Sequence, residues 1–201
     1  MTFLTEESMR QRAREWVQRA GQSADELLKR QSTQSLTRYN VFLSQTARDA
    51  EIVLGVYSFL VEKGLTVFCD WITARNETGA QVTPANAETI RSAMSASDTL
   101  LFIDTEQAEQ SRWMCWELGW FDGGKGLVGV LPVLPEAKRS YRGREFLGLY
   151  PYIELNEVGE LMVVRPIVTN SRGITIIESP NSTGFDHWRA GQSVSMRPRN
   201  F

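Results

Sequence analysis

The sequence has few of the residues that bind metals or form disulfides. Among its 201 residues are two cysteines, Cys69 and Cys115, and one histidine, His187. Both cysteines lie in apolar stretches, so we expect them to pack as small hydrophobic side chains. Their spacing fits neither a disulfide framework nor a metal site. Because the histidine lies in a polar C-terminal stretch, a Ser-His-Asp triad is also a poor fit.

The sequence also lacks a large excess of charge of one sign, and it lacks long apolar runs. The formal net charge is −2, and acidic and basic residues are interspersed. A basic surface for nucleic acid or an anionic membrane is therefore not expected. No apolar run approaches the length of a membrane span, and the polar N-terminal residues do not resemble a signal peptide. We expect a soluble, cytoplasmic protein that binds neither nucleic acid nor membrane.

Glycine-rich phosphate-binding loops are absent as well. The one G-x-G-x-x-G string, at 124–129, follows a predicted helix and enters a predicted strand, whereas the dinucleotide-binding pattern follows a strand and opens a helix. No Walker A pattern is present. Hydride transfer on a dinucleotide-binding domain and ATP hydrolysis are therefore both disfavoured. Ser44 does not stand in a G-x-S-x-G elbow, which argues against a hydrolase of that type.

Apolar segments alternate with amphipathic helical segments through the middle of the chain. Strands are predicted at 39–44, 65–69, 99–103, 127–134 and 152–155. Strands that are apolar throughout are typical of a parallel sheet covered on both faces. The order predicts a doubly wound α/β fold, with a five-stranded parallel sheet in the flavodoxin-like order 2-1-3-4-5.

Capping signals predict where the helices of this fold begin and end. Thr46 and Asp49 fit a capping box for the helix after the first strand, with Thr46 as the N-cap. Asn86 is a candidate cap for the helix before the third strand. For the helix after the third strand, Ser111 is a candidate N-cap and Gly123-Gly124 could supply a left-handed end.

The two ends of the chain differ in pattern from the middle. We predict an N-terminal helical arm and linker at 1–36, a domain at 37–157, and a C-terminal extension at 158–201 packed on or beside it. The arm could pack on the domain or serve as an oligomerisation or partner-docking helix. In the extension, 161–164 and 174–177 could be strands that extend an edge or form a hairpin.

The predicted topology indicates where a ligand would bind. In a doubly wound sheet, ligands lie beyond the carboxyl ends of the strands, where the strand order reverses. Here that point falls between the first and third strands, and the long 72–86 loop leaves the adjacent strand at the same edge. The residues at the ends of the first and third strands are Ser44, Gln45, Thr46, Asp104 and Thr105.

An aromatic segment, 111–124, follows the third strand. Helical spacing places Trp113, Glu117 and Trp120 on one face, so a carboxylate is flanked by indoles at the end of a buried sheet. An aromatic stripe of this kind is usually core, and a glutamate beside it usually lies at the rim, bonded to an arginine or the backbone. Indoles beside Glu117 would lower the local dielectric around its carboxylate, and glutamate is rarely buried without a partner. This segment is therefore the best candidate site.

Residues 38–155 resemble a bacterial TIR (Toll/interleukin-1 receptor) domain. Three segments that carry the resemblance are Tyr39–Ser44, Val67–Asp70 and Ala93–Asp98. Most specific is Ser111-x-Trp113-x-x-x-Glu117-Leu118, which is similar to the family's S-x-W-x-x-x-E-L. The stretches 113–123 and 144–151 are similar to stand-alone TIR proteins of antiphage defence, including the Thoeris type.

The resemblance implies an NAD⁺ glycohydrolase or ADP-ribosyl cyclase, which cleaves the nicotinamide–ribose bond and releases ADP-ribose or a cyclic isomer as a signal. Glu117 falls on the family's catalytic glutamate, and Trp113 on the tryptophan one turn earlier. NAD⁺ is the substrate, and no cofactor or metal is implied. The candidate substrate-binding residues are Ser44, Gln45, Thr46, Trp71, Asp104, Thr105 and Trp113. Departures from the family include Gln45, where histidine or an aromatic residue is frequent, and Asp104, where serine is common.

The chemistry is compatible with one carboxylate. Nicotinamide leaves as a neutral pyridine, so no general acid is needed, unlike the cleavage of an ordinary acetal. A single carboxylate can stabilise the oxocarbenium ion and hold the ribose hydroxyls. An indole can pack against the developing cation, and a dry aromatic pocket would suppress attack by water during cyclisation.

Two other functions stay open at this point. A non-catalytic interaction module would use the 72–86 loop and helix faces for TIR–TIR contacts without consuming NAD⁺. A nucleoside-processing transferase could use a similar sheet. The resemblance also implies self-association through TIR surfaces and an effector protein that senses the product.

Overall fold

Eight strands form one sheet in the computed structural model, which describes residues 2–33, 36–45, 49–69, 71, 83–105, 112–136, 141, 145–165 and 182–191. The strands are β1 (Leu4–Thr5), β2 (Tyr39–Ser44), β3 (Val67–Phe68), β4 (Ser97–Thr105), β5 (Val128–Leu134), β6 (Tyr152–Leu155), β7 (Leu161–Val164) and β8 (Ser182–Gly184). The helices are α1 (Glu6–Ala20), α2 (Ala24–Ser32), α3 (Ala50–Glu62), α4 (Pro84–Ser95), α5 (Arg112–Gly124) and α6 (Phe185–Arg189), with a 3₁₀ helix at Glu145–Leu149.

The five central strands are parallel and lie in the order β3-β2-β4-β5-β6. Numbered among themselves along the chain, these strands follow the order 2-1-3-4-5, so the predicted flavodoxin-like sheet is confirmed. The order reverses between β2 and β4, where Ser44 pairs with Phe102. The carboxyl ends of these two strands therefore form the edge at which a ligand is expected.

The sheet is larger than the prediction. β7 pairs antiparallel with β6, as the pattern at 161–164 allowed, and β8 pairs antiparallel with β7. The other candidate strand, 174–177, lies outside the described residues. Residues 4–5 of the predicted helical arm form β1, which pairs with Val133 and Leu134 of β5. β6 pairs with β5 at Val130, which is nearer the start of β5. At the C-terminal end of β5, the hydrogen-bond partners of the backbone are therefore supplied by β1.

Three predicted helix ends are wrong, each by a few residues. The helix after β2 begins at Ala50 with Asp49 as N-cap, so Thr46, outside the described residues, is not the cap. Thr83, not Asn86, caps α4, because Pro84 occupies its first turn and needs no N–H partner there. Gly123-Gly124 remain inside α5, and the left-handed residue that follows is Gly126, with a φ of 68°. Ser111, the candidate cap of α5, lies outside the described residues.

Helices cover both faces of the sheet. Strand side chains alternate between the faces. On β4, Leu101 and Ile103 join the hydrophobic cluster beneath α1, α2 and α3, whereas Leu100 and Phe102 join the cluster beneath α4 and α5. Asp104, two residues after Phe102, therefore lies on the face that α5 covers.

The N-terminal arm packs directly on the domain. α1 lies so close to α3 that a Cβ atom at Gly55 would stand 2.0 Å from the backbone oxygen of Met9. Arg10 of α1 forms an ion pair with Asp49 at the start of α3. Within the described ranges, the helices are too short or too polar to span a bilayer.

Candidate active site

A buried glutamate and a buried serine meet at the reversal point of the sheet. Glu117 of α5 is 4% exposed, and Ser44, the last residue of β2, is 1% exposed. The Ser44 hydroxyl donates a hydrogen bond of 2.6 Å to Oε2 of Glu117. A hydroxyl–carboxylate bond of this length belongs to the short, strong class. The carboxylate is therefore buried and oriented from the end of the first parallel strand, and does not lie at the solvent rim.

A second buried carboxylate lies at the end of the neighbouring strand. Asp104 is 3% exposed and accepts a hydrogen bond from the hydroxyl of Tyr141. The ring of Tyr141 stands nearly perpendicular to that of Tyr152, with centroids 4.7 Å apart, and also contacts Phe3 at 5.8 Å. Phe3 of the N-terminal arm and Tyr152 of β6 thus hold the tyrosine against Asp104.

Tyr141 is a site residue that the sequence prediction missed. It lies in a charged stretch between β5 and the 3₁₀ helix, where neither helical nor strand periodicity marks a buried side chain. The available signal was a single aromatic residue among charged neighbours. That signal does not indicate which carboxylate the tyrosine would contact.

Indole rings line the start of α5. The rings of Trp113 and Trp116 lie 4.8 Å apart, and the guanidinium of Arg91 from α4 lies 5.6 Å from the centroid of Trp116. Trp113 is partly buried and packs on the hydrophobic cluster beneath α4 and α5. Since Trp113 and Glu117 are four residues apart on one helix, the predicted arrangement of indole and carboxylate on one face is present.

Trp71 lies elsewhere. It is 1% exposed and belongs to the cluster beneath α1, α2 and α3, on the other side of the sheet from α5. Its indole N–H donates to Asp25 of α2 at 2.7 Å, and its backbone N–H donates to the Ser32 hydroxyl at 2.8 Å. The structure thus does not bring Trp71 together with Glu117, and its contacts are those of a side chain that attaches α2 to the domain.

The other predicted contacts stand beside Ser44 and Asp104 in the chain. Gln45 directly follows Ser44 and is 6% exposed, and Thr105 follows Asp104 and is partly buried. Thr46 lies outside the described residues. Among the side chains that the structure describes, no group of three or more His, Cys, Asp or Glu residues could hold a metal ion.

A comparison with curated proteins places this geometry in context. The chain is 40% identical over 116 residues to the probable 3' cyclic ADP-D-ribose synthase ThsB' of Bacillus cereus (strain MSX-D12). The match covers 57% of this chain and 60% of the relative, so the chain spans less than two thirds of the curated relative's length. No protein-family model matches the chain. This similarity confirms the resemblance to TIR proteins of the Thoeris type that the sequence motifs indicate.

Proposed function

We propose that this protein cleaves the nicotinamide–ribose bond of NAD⁺ and forms ADP-ribose or a cyclic ADP-ribose isomer, which serves as an immune signal in antiphage defence. The observation that carries the proposal is the carboxylate of Glu117, buried and oriented by Ser44 where the strand order reverses. The similarity to a probable 3' cyclic ADP-D-ribose synthase supports the same reaction.

In this mechanism Glu117 acts on the sugar. As the C1–N bond breaks, its electron pair leaves with neutral nicotinamide and positive charge develops on the ribose. A carboxylate held away from water stabilises that charge more strongly than a solvated one would. The Ser44 hydroxyl keeps the carboxylate in one orientation, and Trp113 supplies an aromatic surface one turn away.

The relative's name indicates how the proposed product would be closed. Carbon 3' of a ribose carries a hydroxyl, so a ring closed at a 3' position forms when a ribose hydroxyl attacks the anomeric carbon. We propose that this chain also makes such a product. Cytoplasmic action, self-association through TIR surfaces and a product-sensing effector protein belong to the same proposal.

Nicotinamide release from NAD⁺ tests the assignment. We expect the purified protein to release nicotinamide, and Glu117→Gln to abolish release, because the neutral amide cannot stabilise a sugar cation. Glu157→Gln is the matched control, since Glu157 is exposed in the β6–β7 turn. Melting temperatures of both variants show whether the fold is kept.

Two outcomes would contradict different parts of this proposal. A folded Glu117→Gln variant that retains the full rate would remove Glu117 from the mechanism. Because assembly can be required for activity, release is measured from dilute protein up to the solubility limit. Self-association or partner capture without NAD⁺ consumption over that range would favour the interaction module instead.

A further inference from the structure

Asp104 lies on the same face of the sheet as Ser44 and one strand away. Ser44 pairs with Phe102, and Asp104 is two residues further along β4. Two residues along a strand and one strand across correspond to a Cα separation of about 8 Å between Ser44 and Asp104. Glu117 contacts Ser44, so both buried carboxylates lie on the α5 face of the sheet, near the carboxyl ends of β2 and β4.

The burial of Asp104 calls for a role. Aspartate is almost never fully buried unless it is paired. Its described partner is a tyrosine hydroxyl, and Tyr141 is in turn held between Phe3 and Tyr152. The hydrogen bond from Tyr141 orients the Asp104 carboxylate, and the position of Asp104 in β4 places it near the carboxyl end of that strand.

Ring closure makes a chemical demand that bond cleavage does not. This step rests on the function proposed above. The C1–N bond breaks and its electron pair leaves with nicotinamide; the oxygen of a ribose hydroxyl then forms a bond to C1. That hydroxyl must give up its proton, and Glu117 is engaged with the sugar cation and with Ser44.

We propose that Asp104 accepts the proton of the ribose hydroxyl that closes the ring, and that Tyr141 positions its carboxylate. The proton passes to the carboxylate as the O–C1 bond forms, and afterwards to water, so the net products are nicotinamide, cyclic ADP-ribose and one proton. Glycoside hydrolases that invert configuration use a comparable pair, with a second carboxylate about 6.5–9.5 Å from the first acting as base.

Hydrolysis is less dependent on this residue than cyclisation. When water attacks, the solvent itself can take up the proton, whereas the hydroxyl of an enclosed substrate depends on a base at one position. Loss of Asp104 therefore shifts the products from cyclic to linear ADP-ribose, independently of any change in the rate of nicotinamide release.

The product ratio tests the proposal. Nicotinamide, cyclic product and linear ADP-ribose are quantified by chromatography and mass spectrometry in the same reaction with NAD⁺. We expect the ratio of cyclic product to nicotinamide to fall at least tenfold in Asp104→Asn and several-fold in Tyr141→Phe. Tyr57→Phe is the matched control, because it removes a tyrosine hydroxyl that bonds Gln31 on the other face of the sheet from Asp104, and it should keep the wild-type ratio.

An unchanged ratio in folded Asp104→Asn would overturn the proposal. If that variant does not fold, an unchanged ratio in folded Tyr141→Phe overturns it as well. Nicotinamide release by the wild-type protein without any cyclic product would overturn this proposal and leave NAD⁺ cleavage standing. A wild-type protein that never releases nicotinamide would overturn both.

Discussion

Arg10 of α1 and Asp49, the N-cap of α3, form a two-pronged ion pair. Nη1 of Arg10 lies 3.0 Å from Oδ1 of Asp49, and Nη2 lies 2.5 Å from Oδ2. Oδ1 also accepts the backbone N–H of Ile52 at 3.1 Å, which completes the cap. The hydrogen bonds that Arg10 donates to Asp49 raise the pKa of Arg10 further above its already high value. The N-terminal arm is thus attached at the N-cap of α3, five residues after Ser44 in the chain.

The first prediction concerns this pair. Asp49→Ala removes both the helix cap and the ion pair, so we expect the free energy of unfolding to fall by about 1–2 kcal/mol. Arg10→Ala should cost less, about 0.2–1 kcal/mol, because both partners are partly exposed and solvent screens the pair. Urea unfolding of the two single variants and the double variant measures the coupling. Fully additive effects would show that the ion pair contributes nothing.

The second prediction concerns Trp71. Trp71→Phe keeps most of the buried ring but removes the N–H that donates to Asp25, so we expect a loss of about 1 kcal/mol in the free energy of unfolding. Trp71→Ala leaves a cavity in the cluster beneath α1, α2 and α3, with an expected loss of about 3–5 kcal/mol. Denaturant unfolding measures both. The KM for NAD⁺ of Trp71→Phe checks the substrate contact predicted from the sequence, and a large rise in KM without loss of stability would contradict the structural role.

The third prediction concerns the contact between α1 and α3. Gly55→Ala places a methyl group against the backbone of Met9, which cannot move without displacing α1. Overpacking of this kind costs about 1–3 kcal/mol, and we expect the upper end because the obstacle is backbone. Gly119→Ala on α5 is the control: nothing lies within 4 Å of its Cβ position, so it should stabilise the helix by about 0.5–1 kcal/mol. Thermal unfolding of both variants gives the comparison, and equal effects would argue against the close approach.

The fourth prediction concerns pH. Asp98, at the start of β4, has a side chain that is 10% exposed and forms ion pairs of 2.7 Å with Arg38 and with Arg189 of α6. Burial by itself raises the pKa of Asp98, but the hydrogen bonds from Arg38, Arg189 and Asn40 outweigh it and hold the pKa below 3.8. Because the pKa in the folded state is the lower one, the contribution to stability is complete at neutral pH and is lost as the pH falls below 3.8.

Asp98→Asn is the variant that checks this pH dependence. It should be less stable than the wild-type protein at pH 7, and the difference in unfolding free energy should shrink as the pH is lowered through about 4. Chemical denaturation at a series of pH values measures it. A difference that stays constant down to pH 2 would mean that Asp98 does not titrate in this range.

Local patterns in the sequence were sufficient for much of the fold. The strands at 39–44 and 152–155 were predicted with the bounds that the structure has, and the parallel order 2-1-3-4-5 followed from the alternation of strands and helices. Helix ends were less accurate. Asp49 and Thr83 replace Thr46 and Asn86 as caps, because several neighbouring residues have side chains that can cap, and packing selects among them.

The sequence by itself determined the sheet order and singled out Glu117, because strand periodicity, helix spacing and a motif of eight residues are properties of short segments. Only the tertiary structure decided which groups surround it. Ser44 and Glu117 are 73 residues apart, and Asp104 and Tyr141 are 37 apart. Such pairs form only when the sheet and its helices assemble, and burial then requires each polar group to find a partner that no local pattern specifies.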